Sequence, residues 1–122
     1  MRFITIVKAR EAKTQPPPEL FAAIDRLGQE AAKAGVMVGV AGFQPTALGA
    51  RVQLKNGTLS VTDGPFPESK DTLGGYSIYN LPSKQKAIEW SKRFLQLHID
   101  HWNGWEGEVE VRQMFDAPGE AP

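Results

Sequence analysis

The chain has 122 residues, 14 basic and 14 acidic side chains, and no cysteine. That length suits one domain with one core, able to bury about two-thirds of its extended surface without covalent staples. The missing thiols exclude a disulfide framework and thiolate chemistry, and a net charge of zero gives no basic face for nucleic acid. Arg2 to Lys8 alternates β-branched and aromatic residues and reads as a strand. Both faces are apolar, with Phe3 and Val7 on one and Ile4 and Ile6 on the other, so the strand wants cover on two sides. This apolar run is too short for a signal peptide or a membrane span, which makes the cytoplasm the expected compartment. A polar stretch to Gln15 and the run Pro16-Pro17-Pro18 lead into a helix from Pro18 to Ala34. Leu20, Ile24, Leu27, Ala31 and Ala34 recur at helical spacing, Glu19 complements the N-terminus, and Gly35 is placed to end the helix.

Val36 to Val40 is a second strand, and Gly42 to Gly49 a loop. Arg51–Lys55 and Thr58–Val61 flank Asn56-Gly57, the strongest short signal for a hairpin. A two-residue turn sets Leu54 opposite Leu59 and Val52 opposite Val61 on one face, with Arg51, Gln53 and Ser60 on the other. After a loop from Thr62 to Gly75, Tyr76 to Leu81 forms a strand that is again apolar on both faces. Ser83 suits an N-cap. Ala87, Trp90, Phe94 and Leu97 stripe a second helix that Gly104 ends, and Glu108 to Phe115 is the last strand. Residues 1–115 form one domain and the tail 116–122 is expected to fray. The order strand, helix, strand, hairpin, strand, helix, strand is an α+β, ferredoxin-like split βαβ pattern with an extra β-hairpin. Two helices cover one face of such a sheet, so the two-faced strands predict a homodimer whose sheets pack together.

The densest local signal is Asp63-Gly64-Pro65-Phe66-Pro67-Glu68-Ser69-Lys70, followed by Gly74-Gly75-Tyr76. Prolines stiffen this loop, and rigid loops with carboxylates at strand ends often carry function. A turn-forming role for Asp63, with Phe66 plugging the core, is the competing reading. This run, together with Leu73-Gly74-Gly75-Tyr76, resembles the signature of the DGPF-motif proteins within the YCII-related family. Ala34-Gly35-Val36, Gly42 and Leu48 upstream are similar to the family's stretch after its first helix. Ala87-Ile88-Glu89-Trp90 and Val109-Glu110-Val111-Arg112 are similar to its second helix and last strand. Pro67, Ser69 and Asp71 stand where alanine, threonine and glutamate are more usual. The resemblance implies a dimeric α+β barrel and no settled activity. The wider family is associated with acid–base chemistry through a His–Asp pair, and some relatives with extracytoplasmic-function sigma factors. The N-terminal half of this chain contains no histidine, so that pair does not carry over.

The second constellation is Leu97-His98-Ile99-Asp100-His101-Trp102. His98 and His101 stand three apart on one helix side, a spacing suited to a shared metal, to acid–base work, or to plain helix-end packing with cationic character. No motif supplies a third ligand, so no metal and no cofactor are expected. Trp90 reads as packing, and Trp102 and Trp105 as core or pocket wall. Two functions follow. One is a cofactor-independent small-molecule enzyme of lyase or isomerase type, with Asp63 as base, His98 or His101 as second titrating group and Tyr76 as hydrogen-bond donor. Gly64, Pro65, Phe66, Glu68, Lys70, Gly74, Gly75 and Trp102 would then frame its pocket. The other is a non-catalytic metabolite-binding or regulatory dimer using the same pocket. A strongly perturbed carboxylate or histidine inside a closed pocket separates the two.

Overall fold

The computed structural model describes residues 1–116, so of the tail expected to fray only Asp116 lies among the described residues. In chain order the elements are β1 (Arg2–Lys8), α1 (Pro18–Lys33), β2 (Met37–Gly42), a 3-10 turn (Thr46–Leu48), β3 (Ala50–Lys55), β4 (Thr58–Asp63), β5 (Leu73–Asn80), α2 (Lys84–His101) and β6 (Glu108–Gln113). Four strands make one sheet in the order β2-β5-β1-β6, and β3 with β4 makes a separate hairpin. All pairings are antiparallel. The chain is thus an α+β fold of ferredoxin-like type with an inserted hairpin.

The hairpin register is the one the sequence dictates. Lys55 faces Thr58, Leu54 faces Leu59 and Val52 faces Val61. Asn56 and Gly57 carry φ of 50° and 75°, the two positive angles of a type I′ turn. The helix ends also follow local chemistry. Ser83 Oγ accepts the Lys86 amide at the start of α2, and Gly35 takes φ 75° just past α1.

Several boundaries depart from expectation: β2 runs on to Gly42 and β4 to Asp63, taking residues expected in loops. β5 begins at Leu73, which puts Gly74 and Gly75 inside the strand instead of the loop. A Cβ on Gly75 would lie 2.7 Å from the Ala41 carbonyl oxygen, so the β2 backbone closes on β5 only because glycine stands there. α2 stops at His101, three residues before Gly104, because Trp102 leaves helical geometry at φ −140° and ψ 80°. β6 ends at Gln113.

Phe3, Tyr79 and Leu81 pack with Ala31 of α1 and Ala87 of α2 to form the core, with Val36, Met37, Trp90 and Val111 at its margin. The Tyr79 and Trp90 rings stack at 5.6 Å, and an Arg93–Glu30 ion pair joins the two helices. The other sheet face carries Ile4, Ile6, Tyr76 and Ile78, all half-buried. Alternation places Lys8, Glu110 and Arg112 on that same face, where Lys8 Nζ donates to Glu110 at 2.6 Å.

Candidate functional site

The Asp63–Lys70 loop is held at its root by backbone contacts and not by Asp63. The Gly64 N–H donates to the Gly49 carbonyl at 2.8 Å. The Thr46 carbonyl oxygen comes so close to Gly64 that a Cβ there would lie only 1.6 Å from it. The Gly64–Pro65 peptide is cis. The Phe66 N–H donates to Thr46 Oγ1 at 3.1 Å, and Thr46 in turn donates from its hydroxyl and its N–H to the Glu11 carboxylate. Those two bonds hold the Glu11 carboxyl below its ordinary range. One acidic side chain after β1 therefore clamps the 3-10 turn, and through it the loop.

Asp63 is the last residue of β4 and is exposed, opposite Ala50. Among the described residues its carboxylate accepts no hydrogen bond, which corrects the reading of Asp63 as a turn cap: Gly49, Thr46 and Glu11 do that work. Phe66 is not part of the core either. Its ring lies under the Arg51 guanidinium at 3.9 Å and lines a shallow depression of about 340 Å³ with Phe43, Thr46, Leu48 and Leu73. Tyr76 is half-buried beside Phe43, ring centroids 6.0 Å apart.

The charged end of the loop faces elsewhere. Glu68, Lys70 and Asp71 form one wall of an open groove of about 780 Å³. The segment Lys8–Thr14 forms a second wall, and Trp102–Glu108 a third. Arg10 reaches Glu68 across it at 3.6 Å. Lys8 also lines this groove, and its bond to Glu110 raises its pKa while lowering that of Glu110.

The third wall is fixed by contacts that begin inside α2. The Trp102 N–H donates to the His98 carbonyl and the Trp105 N–H to the Trp102 carbonyl, at 2.9 and 3.1 Å. The Trp105 indole packs on the His98 ring at 4.2 Å and stacks with Trp102 at 6.3 Å. It also lies so close over Gly107 that any Cβ there would strike the ring at 2.2 Å. Gly107 is thus what lets the indole lie flat.

His98 is the buried member of the histidine pair, only 6% exposed. Its Nδ1–H donates to the Phe94 carbonyl at 3.0 Å, and burial pushes its pKa down, the carbonyl partly opposing. A neutral imidazole packed between Phe94 and Trp105 replaces the cationic helix-end residue that position alone suggested. His101 is half-exposed. Among the described residues no three His, Asp or Glu side chains gather as a metal site requires. Asp63, Tyr76, His98 and His101 line neither the groove nor the depression, so the structure does not bring the nominated acid–base groups around one cavity. Of the nominated pocket residues, Glu68, Lys70 and Trp102 do meet, in the groove. Arg10, Glu11, Lys13 and Gly107 escaped the sequence reading, while Trp105 takes the pocket-wall option it left open. The two tryptophans bracketing Asn103-Gly104, with glycine again at 107, were the available sign.

A YCII-related domain model matches residues 1–98. An uncharacterised protein of Rhizobium meliloti (strain 1021) is 32% identical over 101 residues, which cover 82% of this chain and 75% of that protein.

Proposed function

The chain belongs to the YCII-related domain family, and on that premise we propose that it binds a small molecule in the groove between Lys8–Thr14, Glu68–Asp71 and Trp102–Glu108. One observation carries the reading: two tryptophans held in place by His98 and Gly107 stand across from ionised side chains of both signs. A preformed aromatic wall offers stacking area at little ordering cost, and the charged walls fix orientation. The ligand chemistry this suits is a planar or cationic metabolite with a charged substituent, its ring on Trp102 and its charge on Lys70 or on Glu68 and Glu106. In a regulatory setting, occupancy of this groove would be the signal.

Acid–base catalysis of lyase or isomerase type is the less supported reading. It asks for Asp63, Tyr76 and a histidine around one substrate, and Asp63, Tyr76, His98 and His101 line neither concavity.

The test is a thermal-shift and tryptophan-fluorescence titration with nucleosides, aromatic carboxylates and quaternary amines. A hit that stabilises the parent should lose at least tenfold in affinity in Trp102→Ala and in Lys70→Ala or Glu68→Ala, with the unliganded melting point unchanged. Hits indifferent to all three substitutions would refute the assignment.

A further inference from the structure

Arg51 is a cation without an acidic partner. Among the described residues it enters no ion pair. Its guanidinium lies over the Phe66 ring, 3.9 Å from the centroid, a contact that anchors the charge and leaves the N–H fork free for an acceptor. The hairpin register keeps the nearest loop carboxylate away from it. Arg51 pairs with Thr62, so alternation puts it on the face that carries Lys55, while Asp63, opposite Ala50, belongs to the other face.

Beside this cation the surface is apolar and open. Phe43, Leu48 and Leu73 are 48, 76 and 48% exposed, and with Phe66 they surround the depression of about 340 Å³. Its floor is built, not loose. The Phe66 N–H donates to Thr46 Oγ1, the Gly64 N–H donates to the Gly49 carbonyl, and the Phe66 ring lies 3.7 Å from where a Cβ on Gly49 would stand. Of the side chains that line the depression, Arg51 is the one cation and Asp71 the one carboxylate. Asp71 also lines the groove on the far side of the loop, where its charge helps raise the pKa of Lys8.

We propose that this depression is a second ligand site, apart from the groove, and that it takes a small apolar carboxylate. The acid's two oxygens would accept from the Arg51 fork, a geometry that a planar guanidinium offers to a carboxylate. Its ring or branched chain would lie on Phe43, Leu48 and Leu73, taking apolar surface out of water. One cation balances one negative charge, and Asp71 at the rim disfavours a doubly charged phosphate ester. The volume stands at the small end of ligand pockets and suits a single ring or branched chain.

The test titrates phenylacetate and isovalerate into the full chain, with calorimetry for affinity and amide and side-chain NMR shifts for location. Both acids should bind saturably at millimolar concentration and shift Thr46, Arg51, Phe66 and Leu73. Phenylacetamide, similar in shape but uncharged, should bind at least tenfold more weakly. Arg51→Gln should weaken phenylacetate at least tenfold, while Lys55→Gln, which removes a neighbouring charge from the same face, should change it less than twofold. The shift map of the parent locates the site even if Arg51→Gln folds poorly. Absence of saturation for both acids would overturn the proposal. So would shifts centred on Trp102 and Trp105, equal affinity for the amide, tighter binding of phenyl phosphate than of phenylacetate, or a folded Arg51→Gln chain that binds as the parent does.

Discussion

Replacing Gly64 with alanine adds one methyl group where the backbone leaves no room. The new Cβ would lie 1.6 Å from the Thr46 carbonyl oxygen, 2.6 Å from its carbon and 3.2 Å from Ala47 Cα. These are main-chain atoms, so no rotamer change relieves the contact and the 3-10 turn must move away from the loop. Overpacking of this sort costs about 1–3 kcal/mol. Moving the turn also breaks the Gly64–Gly49 and Phe66–Thr46 hydrogen bonds, each worth about 1 kcal/mol. The expected loss is roughly 3–5 kcal/mol, or a melting point lower by roughly 10–20 °C for a domain of this size. Calorimetry reads the global term and amide exchange at Phe66 the local one. A variant that melts within about 2 °C of the parent with Phe66 equally protected would refute the reasoning.

Two further predictions rest on single side chains. Asp63→Asn removes a charge from an exposed carboxylate that accepts no hydrogen bond among the described residues, so the melting point should move by less than about 3 °C, under 1 kcal/mol; a drop of about 8 °C or more would restore it as a structural cap. His98 has a folded pKa below its ordinary 6.5 because it is buried, so the unfolded chain binds the proton more readily. Its contribution is fully present above pH 6.5 and is lost as pH falls below that toward the folded value. The parent should therefore lose stability as pH falls below 6.5, and His98→Gln should lose less over the same fall; parallel denaturation curves for the two proteins would count against a neutral buried imidazole.

The fold was legible wherever local chemistry had one answer. Asn56-Gly57 dictates a type I′ turn and hence the register of the whole hairpin, and the two-period and helical spacings place every strand and both helices. The start of β5 was misplaced for a reason outside local chemistry. Gly74 and Gly75 look like loop formers in sequence, yet Gly75 lies within a strand because the β2 backbone passes too close for a side chain. The reason for that glycine lies in a partner strand more than thirty residues upstream, where no local pattern can express it.

The candidate site was legible only in part, because residue type identifies a group that is able to ionise but not the direction it faces. Asp63 and Lys70 are seven positions apart on one loop, yet the Gly64–Phe66 turn sends them to different surfaces. Asp63 stays with the apolar face of the hairpin while Glu68, Lys70 and Asp71 enter the groove. The opposite wall of that groove comes from Trp102 and Trp105, fixed by a histidine buried behind them, and the remaining wall from a polar stretch after β1 without periodicity. Three segments, each bland alone, acquire meaning when the antiparallel pairing of β1 with β5 and β6 brings their ends to one edge of the sheet. That pairing also explains the position of Glu11. From its place just beyond β1, its carboxylate reaches Thr46 and so secures the turn against which Gly64 packs. The loop that aims Glu68 and Lys70 is thereby set by a residue more than fifty positions before it.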